Sequence, residues 1–174
     1  MLPQIGLLIL RVTIGLLFAA HGAQKLFGWF GGSGIDGHAN LLASMGLQPS
    51  RLWAAINALA EFGGGLLMVL GILTPVAAAV LIAAMVMAII KVHWPRGFWN
   101  KDGGYEFPLT LIAATMMIGL AGPGAGALNP AVFAKLPQLQ LFEVSLVISL
   151  IGVAIGLITG LRQPYRGRRI MKGR

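Results

Sequence analysis

The chain has 174 residues, of which 57% are hydrophobic and only 10% are charged, and its mean hydropathy is +0.83. Soluble domains carry about a quarter charged residues, so this chain has too little polar surface for a water-soluble particle, and lipid must cover the remainder. It has no cysteine, which excludes disulfides, thiol relays, cysteine-ligated iron–sulfur clusters and covalently attached c-type haem.

The formal net charge of +8 is concentrated near the C-terminus, directly after an apolar stretch. The basic residues there are Arg162, Arg166, Arg168, Arg169, Lys172 and Arg174. A basic segment beside a membrane helix suits anionic lipid headgroups and determines the orientation of the chain. This distribution argues against nucleic acid as a partner and for the lipid bilayer.

Five apolar segments along the chain predict membrane-spanning helices. They cover roughly residues 2–27, 52–73, 75–92, 108–122 and 142–161. Each approaches the ~20 residues that a helix needs to cross about 30 Å of hydrocarbon, although the third and fourth are short. Between the first two, residues 36–45 predict a short amphipathic helix on the membrane surface. The predicted fold class is all-α, a polytopic transmembrane helical bundle.

The basic residues predict the orientation of this bundle. With the C-terminal tail in the cytoplasm, five crossings place Lys25, Arg51, Lys91, Arg96 and Lys101 inside and leave Lys135 in an outer loop. Because basic residues prefer the cytoplasmic side, we predict an N-terminus outside and a C-terminus inside the cell.

Arg11 and Glu61 stand near the middle of the first and second apolar segments. An isolated charge at that depth costs on the order of several kcal/mol, and adjacent antiparallel helices would bring the two residues together. We therefore predict an Arg11–Glu61 ion pair, with Asn57 one turn away on the same face. The pair is either a polar core that binds a small molecule or relays protons, or a structural pair that fixes helix register.

A second polar group is predicted at the cytoplasmic rim of the bundle. His21 and Lys25 are four residues apart on one face of the first helix, and His93 ends the third helix on the same side. The following loop supplies Asn100, Tyr105 and Glu106. Such a group can exchange protons with a redox-active or acidic ligand. The alternative is that the lysines and aromatic residues here only anchor the bundle among lipid headgroups.

Haem and metal are not favoured as cofactors. Two histidines from different helices could ligate a b-type haem, but their position at the rim disfavours it. No compact spacing of histidines and carboxylates predicts a metal site. Gly152, Gly156 and Gly160 form a stripe of small residues that predicts close helix packing, either inside the bundle or between subunits of a homo-oligomer.

Three motifs resemble those of the DoxX family of small bacterial membrane proteins. They are Leu10-Arg11 followed by HGAQKLFG at 21–28, EFGGG at 61–65 with Leu70-Gly71, and GFWN at 97–100 with GGYEF at 103–107. Their order and spacing extend the resemblance over roughly residues 7–130. The resemblance implies a helical bundle in the bacterial inner membrane, usually described with four helices.

The resemblance also implies an association with membrane redox chemistry, since relatives are linked to a thiosulfate:quinone oxidoreductase and to oxidative-stress complexes. Ala127-Leu128-Asn129 departs from the Ser-Leu-Asp that relatives often have. The fifth helix and the tail also extend beyond the usual family core. We divide the chain into a DoxX-like core (1–130), a linker with an additional transmembrane helix (131–161) and a basic cytoplasmic tail (162–174).

Two functions from different classes follow. The first is a membrane subunit of a quinone-linked oxidoreductase, which would need a separate soluble or membrane redox partner because the sequence offers no electron carrier. The residues proposed to bind its ligand are Arg11, His21, Lys25, Asn57, Glu61, His93, Asn100, Tyr105 and Glu106. The second is a non-enzymatic membrane scaffold or a small carrier for lipid or solute.

Overall fold

The computed structural model describes residues 1–128 and 135–161, and every regular element in these ranges is helical. The helices are α1 (Leu2–Phe27), α2 (Gly34–Ser44), α3 (Ser50–Leu70), α4 (Thr74–Ala88), α5 (Glu106–Ala121) and α6 (Gln138–Leu161). A π-turn at Ile89–His93 extends α4. The predicted all-α bundle is confirmed, while Asn129 and the predicted basic tail lie outside the described residues.

Within residues 1–128 and 135–161, four helical stretches are long and apolar enough to cross a membrane. They are Leu2–Phe27, Ser50–Leu70, Thr74–Arg96 and Gln138–Gly160. The remaining apolar helix, α5, has 16 residues and is therefore about 24 Å long, less than the ~30 Å of a typical hydrocarbon core.

All five apolar helices nevertheless run between the same two ends of the bundle, which we call the Lys25 end and the Arg11 end. α5 begins at the Lys25 end, where Phe107 and Lys25 line one cavity. It finishes at the Arg11 end, where the carbonyl of Ala125 accepts a hydrogen bond from Arg11. α6 returns to the Lys25 end, where Gly160 lies against the backbone of Gly46. α1 starts and α6 finishes at opposite ends of the bundle.

The close packing of α1 on α3 determines their register. A Cβ atom added at Gly65 would lie 2.5 Å from the backbone nitrogen of Ala19, and one added at Gly15 would lie 2.8 Å from the carbonyl of Gly65. Gly22 packs against the backbone of Phe62 in the same way. Small residues let two helix backbones approach this closely in a membrane, so these glycines align the antiparallel helices.

This register shows that the predicted Arg11–Glu61 ion pair is wrong. Because Gly22 packs on Phe62, Glu61 lies level with the last turns of α1, whereas Arg11 is about three turns away along the same helix. Both residues are fully buried, and each has a different partner: Glu61 pairs with Lys25, and Arg11 donates to backbone carbonyls.

Arg11 instead forms hydrogen bonds that connect α1, the end of α3 and the segment after α5. Its Nη1 donates to the carbonyl of Met68 at 3.3 Å, and its Nη2 donates to the carbonyl of Ala125 at 3.2 Å. Met68 lies in the last turn of α3, where carbonyl groups carry the partial negative charge of the helix dipole. The guanidinium therefore joins α1 to the end of α3 and to the segment after α5.

The predicted glycine stripe packs partly inside the bundle. A Cβ atom at Gly156 would lie 2.8 Å from Met87, and one at Gly160 would lie 3.1 Å from the carbonyl of Gly46. A Cβ atom at Gly152 would meet nothing within 4 Å. α6 thus uses two of its three glycines to approach its neighbours and leaves open space beside the third.

Candidate functional site

A cavity of about 310 Å³ opens at the Lys25 end of the bundle. Its polar lining comes from α1, α2, α3 and the extension of α4, while α5 contributes only apolar side chains. The polar residues are His21, Lys25, His38, Asn57, Glu61, Lys91 and His93. Its apolar walls include Phe18, Leu42, Leu47, Met85 and Leu111. The cavity therefore combines an apolar slot with ionisable groups, which is the usual composition of a small-molecule site.

Lys25 and Glu61 form the ion pair at the base of this polar lining. The Nζ of Lys25 lies 2.5 Å from Oε1 of Glu61, and the carboxylate side chain is fully buried. The same amine donates to Oδ1 of Asn57 at 3.0 Å, and Nδ2 of Asn57 lies 3.4 Å from Oε1 of Glu61. Oε2 of Glu61 is buried and has no hydrogen-bond partner among the described residues. One carboxylate oxygen at the cavity lining thus has an unused hydrogen-bond acceptor.

His38 joins this network from α2. Its Nε2 lies 3.0 Å from Oδ1 of Asn57, and because an amide oxygen only accepts, Nε2 carries the proton. Burial lowers the pKa of His38 below its ordinary value, and the charge of Lys25 lowers it further, while the hydrogen bond to Asn57 and the charge of Glu61 raise it. The neutral imidazole therefore has a free lone pair on Nδ1.

His38 is a cavity residue that was not predicted from the sequence. The predicted amphipathic helix at 36–45 is confirmed as α2, but it packs against α1 and α3 rather than lying only on the membrane surface. Its buried residues are His38, Ala39 and Leu42. The spacing of His38 and Leu42, four residues apart on one face, was the available signal that the histidine faces inwards.

His21 and His93 line the cavity from α1 and from the π-turn. Nδ1 of His21 lies 2.9 Å from the carbonyl of Leu17, and Nδ1 of His93 lies 2.7 Å from the carbonyl of Gly103. Because carbonyl oxygens accept hydrogen bonds, Nδ1 is the protonated nitrogen in both rings. Each Nε2 is therefore the nitrogen that remains to accept a proton. The π-turn that carries His93 is a local departure from the α-helix of a kind often found at functional sites.

The other residues of the predicted rim lie outside the cavity lining. Oε2 of Glu106 accepts a hydrogen bond from the backbone nitrogen of Asn100 at 2.9 Å and so holds the loop before α5. The ring of Tyr105 stacks on Trp94, with centroids 5.3 Å apart. Arg11 lies at the opposite end of the bundle. The structure thus brings together five of the predicted ligand-binding residues: His21, Lys25, Asn57, Glu61 and His93.

The groups that line the cavity can form hydrogen bonds and exchange protons. Lys25 can donate a hydrogen bond, Oε2 of Glu61 has no partner among the described residues, and each histidine has one ring nitrogen with a lone pair. Among the described residues, no group of three or more histidine, aspartate or glutamate side chains is placed to hold a metal ion.

The fold and the composition define a multi-pass helical membrane protein, and comparison with known proteins identifies its family. The DoxX family model matches residues 6–94. This chain belongs to the DoxX family. The matched residues include every polar side chain that lines the cavity, while the motif at 97–107 lies beyond the match.

Two relatives illustrate the similarity. “Putative oxidoreductase CatD” of Bacillus subtilis (strain 168) is 32% identical over 130 residues, which are 75% of this chain and 89% of that protein. “Inner membrane protein YphA” of Escherichia coli (strain K12) is 28% identical over 132 residues, which are 71% of this chain and 87% of that protein. No solved structure matches the chain.

Proposed function

We propose that this chain is the quinone-binding membrane subunit of an oxidoreductase in the bacterial inner membrane. The observation that carries the proposal is the cavity at the Lys25 end, which joins an apolar slot to Lys25, Glu61 and three histidines. The name of the relative CatD, which describes an oxidoreductase, and that of YphA, which describes an inner membrane protein, support the same assignment.

A quinone ring matches the chemistry of this lining. Its flat apolar ring fits between side chains such as Phe18 and Leu111, and its two oxygens accept hydrogen bonds. Lys25 is the donor for one ring oxygen in this proposal. Oε2 of Glu61, which has no partner among the described residues, accepts a hydrogen bond from a hydroxyl of the quinol that is formed.

Conversion of a quinone to a quinol consumes two electrons and two protons. The histidine nitrogens at His21, His38 and His93 exchange the protons with water at the open end of the cavity. The two electrons come from a separate soluble or membrane partner in its reduced form, which is oxidised in the same step. This chain binds and orients the ring and moves protons.

Ligand binding by the full-length protein in mild detergent tests the proposal. We would titrate a decyl-substituted benzoquinol, the reduced form whose hydroxyl donates to Glu61 in this proposal, into the wild-type protein and into Glu61→Gln under reducing conditions, and follow the quenching of tryptophan fluorescence. Removal of a charged hydrogen-bond partner should weaken binding by about tenfold or more. Glu143→Gln is the matched control, since it makes the same change at an exposed position on α6.

Two further measurements complete this test. His21→Gln should weaken binding while the thermal midpoint stays close to that of the wild type, which separates a site effect from unfolding. A reduced-minus-oxidised absorption spectrum of the purified protein should show a co-purified quinone. Absence of saturable quinone binding by the folded wild type would overturn the proposal and favour a non-enzymatic scaffold or carrier.

A further inference from the structure

A second opening lies beside the cavity, in the side of the bundle. It is a groove of about 250 Å³ between α3 and α6, with α4 as its floor. Ala60 of α3, Ala84 of α4 and Gly152 of α6 line it with small apolar surfaces. Ile56 lines it as well and is 47% exposed on the outer surface of the bundle, so the groove opens towards the lipid.

The groove and the cavity share two lining residues, Asn57 and Met87. Asn57 is the residue that hydrogen-bonds both Lys25 and His38 on the cavity side. The polar network therefore borders the inner end of an apolar groove that leads to the outer surface. A polar region that continues into an apolar, lipid-facing groove fits a molecule with a polar head and an apolar tail.

We propose that the groove between α3 and α6 holds the apolar tail of the molecule whose ring occupies the cavity at the Lys25 end. This inference rests on the proposed quinone site and specifies its ligand as a quinone with a long apolar tail. The ring reaches the cavity from the lipid, past Asn57 and Met87. The cavity alone lies at the lower limit of the roughly 300–1,000 Å³ of ligand sites, and the added groove supplies the volume that a tail requires.

Gly152 provides a direct test, because a side chain can be added there without a backbone clash. A Cβ atom at Gly152 would meet nothing within 4 Å, so Gly152→Phe places its ring in the groove. Gly6→Phe is the matched control, since a Cβ atom at Gly6 of α1 also meets nothing within 4 Å and Gly6 lines neither opening.

The experiment compares a decyl-substituted benzoquinone with the same benzoquinone without its tail. Gly152→Phe should weaken binding of the tailed compound by about tenfold or more, the loss expected when two methylene groups are no longer buried. Binding of the tail-less compound should stay within about twofold of the wild type. Gly6→Phe should leave both affinities unchanged. It controls for the general effect of adding a phenyl ring to the surface of the bundle, because Gly6 lines neither opening.

The outcomes separate this inference from the proposed function. If Gly152→Phe binds both compounds as the wild type does, the groove does not hold the tail, although the ring site stands. If neither compound binds the wild type, the proposed function fails and this inference fails with it. If Gly152→Phe instead changes the oligomeric state measured by light scattering, the groove is a contact between copies of this chain and the inference is overturned.

Discussion

At the scale of single residues, the buried carboxylate of Glu61 requires a positive partner inside the bundle. Its carboxylate is fully buried and is balanced by Lys25, whose side chain is 25% exposed. Removal of one partner from a buried ion pair leaves an uncompensated charge, which costs more than the pair itself contributes. Each of the two residues therefore balances the charge of the other, and the bundle needs both or neither of them, whatever ligand binds beside the pair.

We predict that Lys25→Met lowers the free energy of unfolding by about 3–5 kcal/mol. The double variant Lys25→Met/Glu61→Leu should recover most of this loss, because no buried charge then remains. The free energies of unfolding of the single and the double variant are measured by titrating sodium dodecyl sulfate into the proteins in mild detergent. Asp36→Asn, which breaks the 3.2 Å pair between Asp36 and Arg51 at an exposed position, should change stability by less than about 1 kcal/mol. A Lys25→Met protein as stable as the wild type would contradict the argument.

The pH dependence of stability should report on His38. The groups that face it are Lys25 of α1 and Asn57 and Glu61 of α3, and burial with Lys25 lowers the pKa of His38 from its ordinary value of 6.5. Below pH 6.5 the unfolded chain takes up a proton at this histidine, whereas the folded chain does so only at a lower pH. The contribution of His38 to the free energy of unfolding therefore has its full value above pH 6.5. It is lost as the pH falls below 6.5, by at most about 1.4 kcal/mol per pH unit.

His38→Gln should reduce this dependence while retaining a donor for Asn57. We expect the wild-type protein to lose more stability than the variant between about pH 7.5 and about pH 5.5. The thermal midpoint measured across that interval gives the comparison. Equal loss in both proteins would show that the pH dependence comes from groups other than His38.

At the scale of helices, the α1–α3 interface decides which polar residues meet. Gly63 and Gly65 stand on the same helix, but an added Cβ atom at Gly65 would clash with the backbone of Ala19, while one at Gly63 would meet nothing within 4 Å. The two positions therefore separate the effect of helix packing from the helix propensity of glycine.

We predict that Gly65→Ala lowers the free energy of unfolding by about 1–3 kcal/mol, as overpacking does. Gly63→Ala should be neutral or stabilising by up to about 1 kcal/mol, because alanine favours a helix over glycine. Unfolding in sodium dodecyl sulfate distinguishes the two variants. If both alanine variants are equally stable, close packing at Gly65 does not hold α1 against α3.

Hydropathy predicted the helices well and the pairing of residues between them poorly. The bounds of α1 agree with the sequence, because an uninterrupted apolar run determines a membrane helix. The partner of Glu61 could not be predicted, since it depends on the glycine contacts that set the register of α1 and α3. His38 was missed for a similar reason: the inward packing of α2 is a tertiary property that a local pattern shows only weakly.

At the scale of the whole molecule, the functional groups are gathered at one end. The ligand-binding candidates His21, Lys25 and His93 lie at the Lys25 end, whereas Arg11 joins three segments at the other end. Arg11 and the Lys25–Glu61 pair thus connect helices at opposite ends of the bundle, and the cavity opens only at the Lys25 end. The short helix α5 connects both ends, although its 16 residues make it about 24 Å long, less than the ~30 Å of a typical hydrocarbon core.

We predict that α5 crosses the membrane, with the Lys25 end in the cytoplasm. The chain has no cysteine, so single cysteines introduced at exposed positions report their side without background. In intact cells, a membrane-impermeant maleimide should label cysteines at Gln4 and Lys135 but not those at Arg51 and Lys101, which should react only after permeabilisation. Lys101 and Lys135 flank α5, so labelling of both from the same side would show that this 16-residue helix does not cross. Labelling of Arg51 and Lys101 alone would place the cavity outside the cytoplasm and reverse the orientation that the basic residues predict.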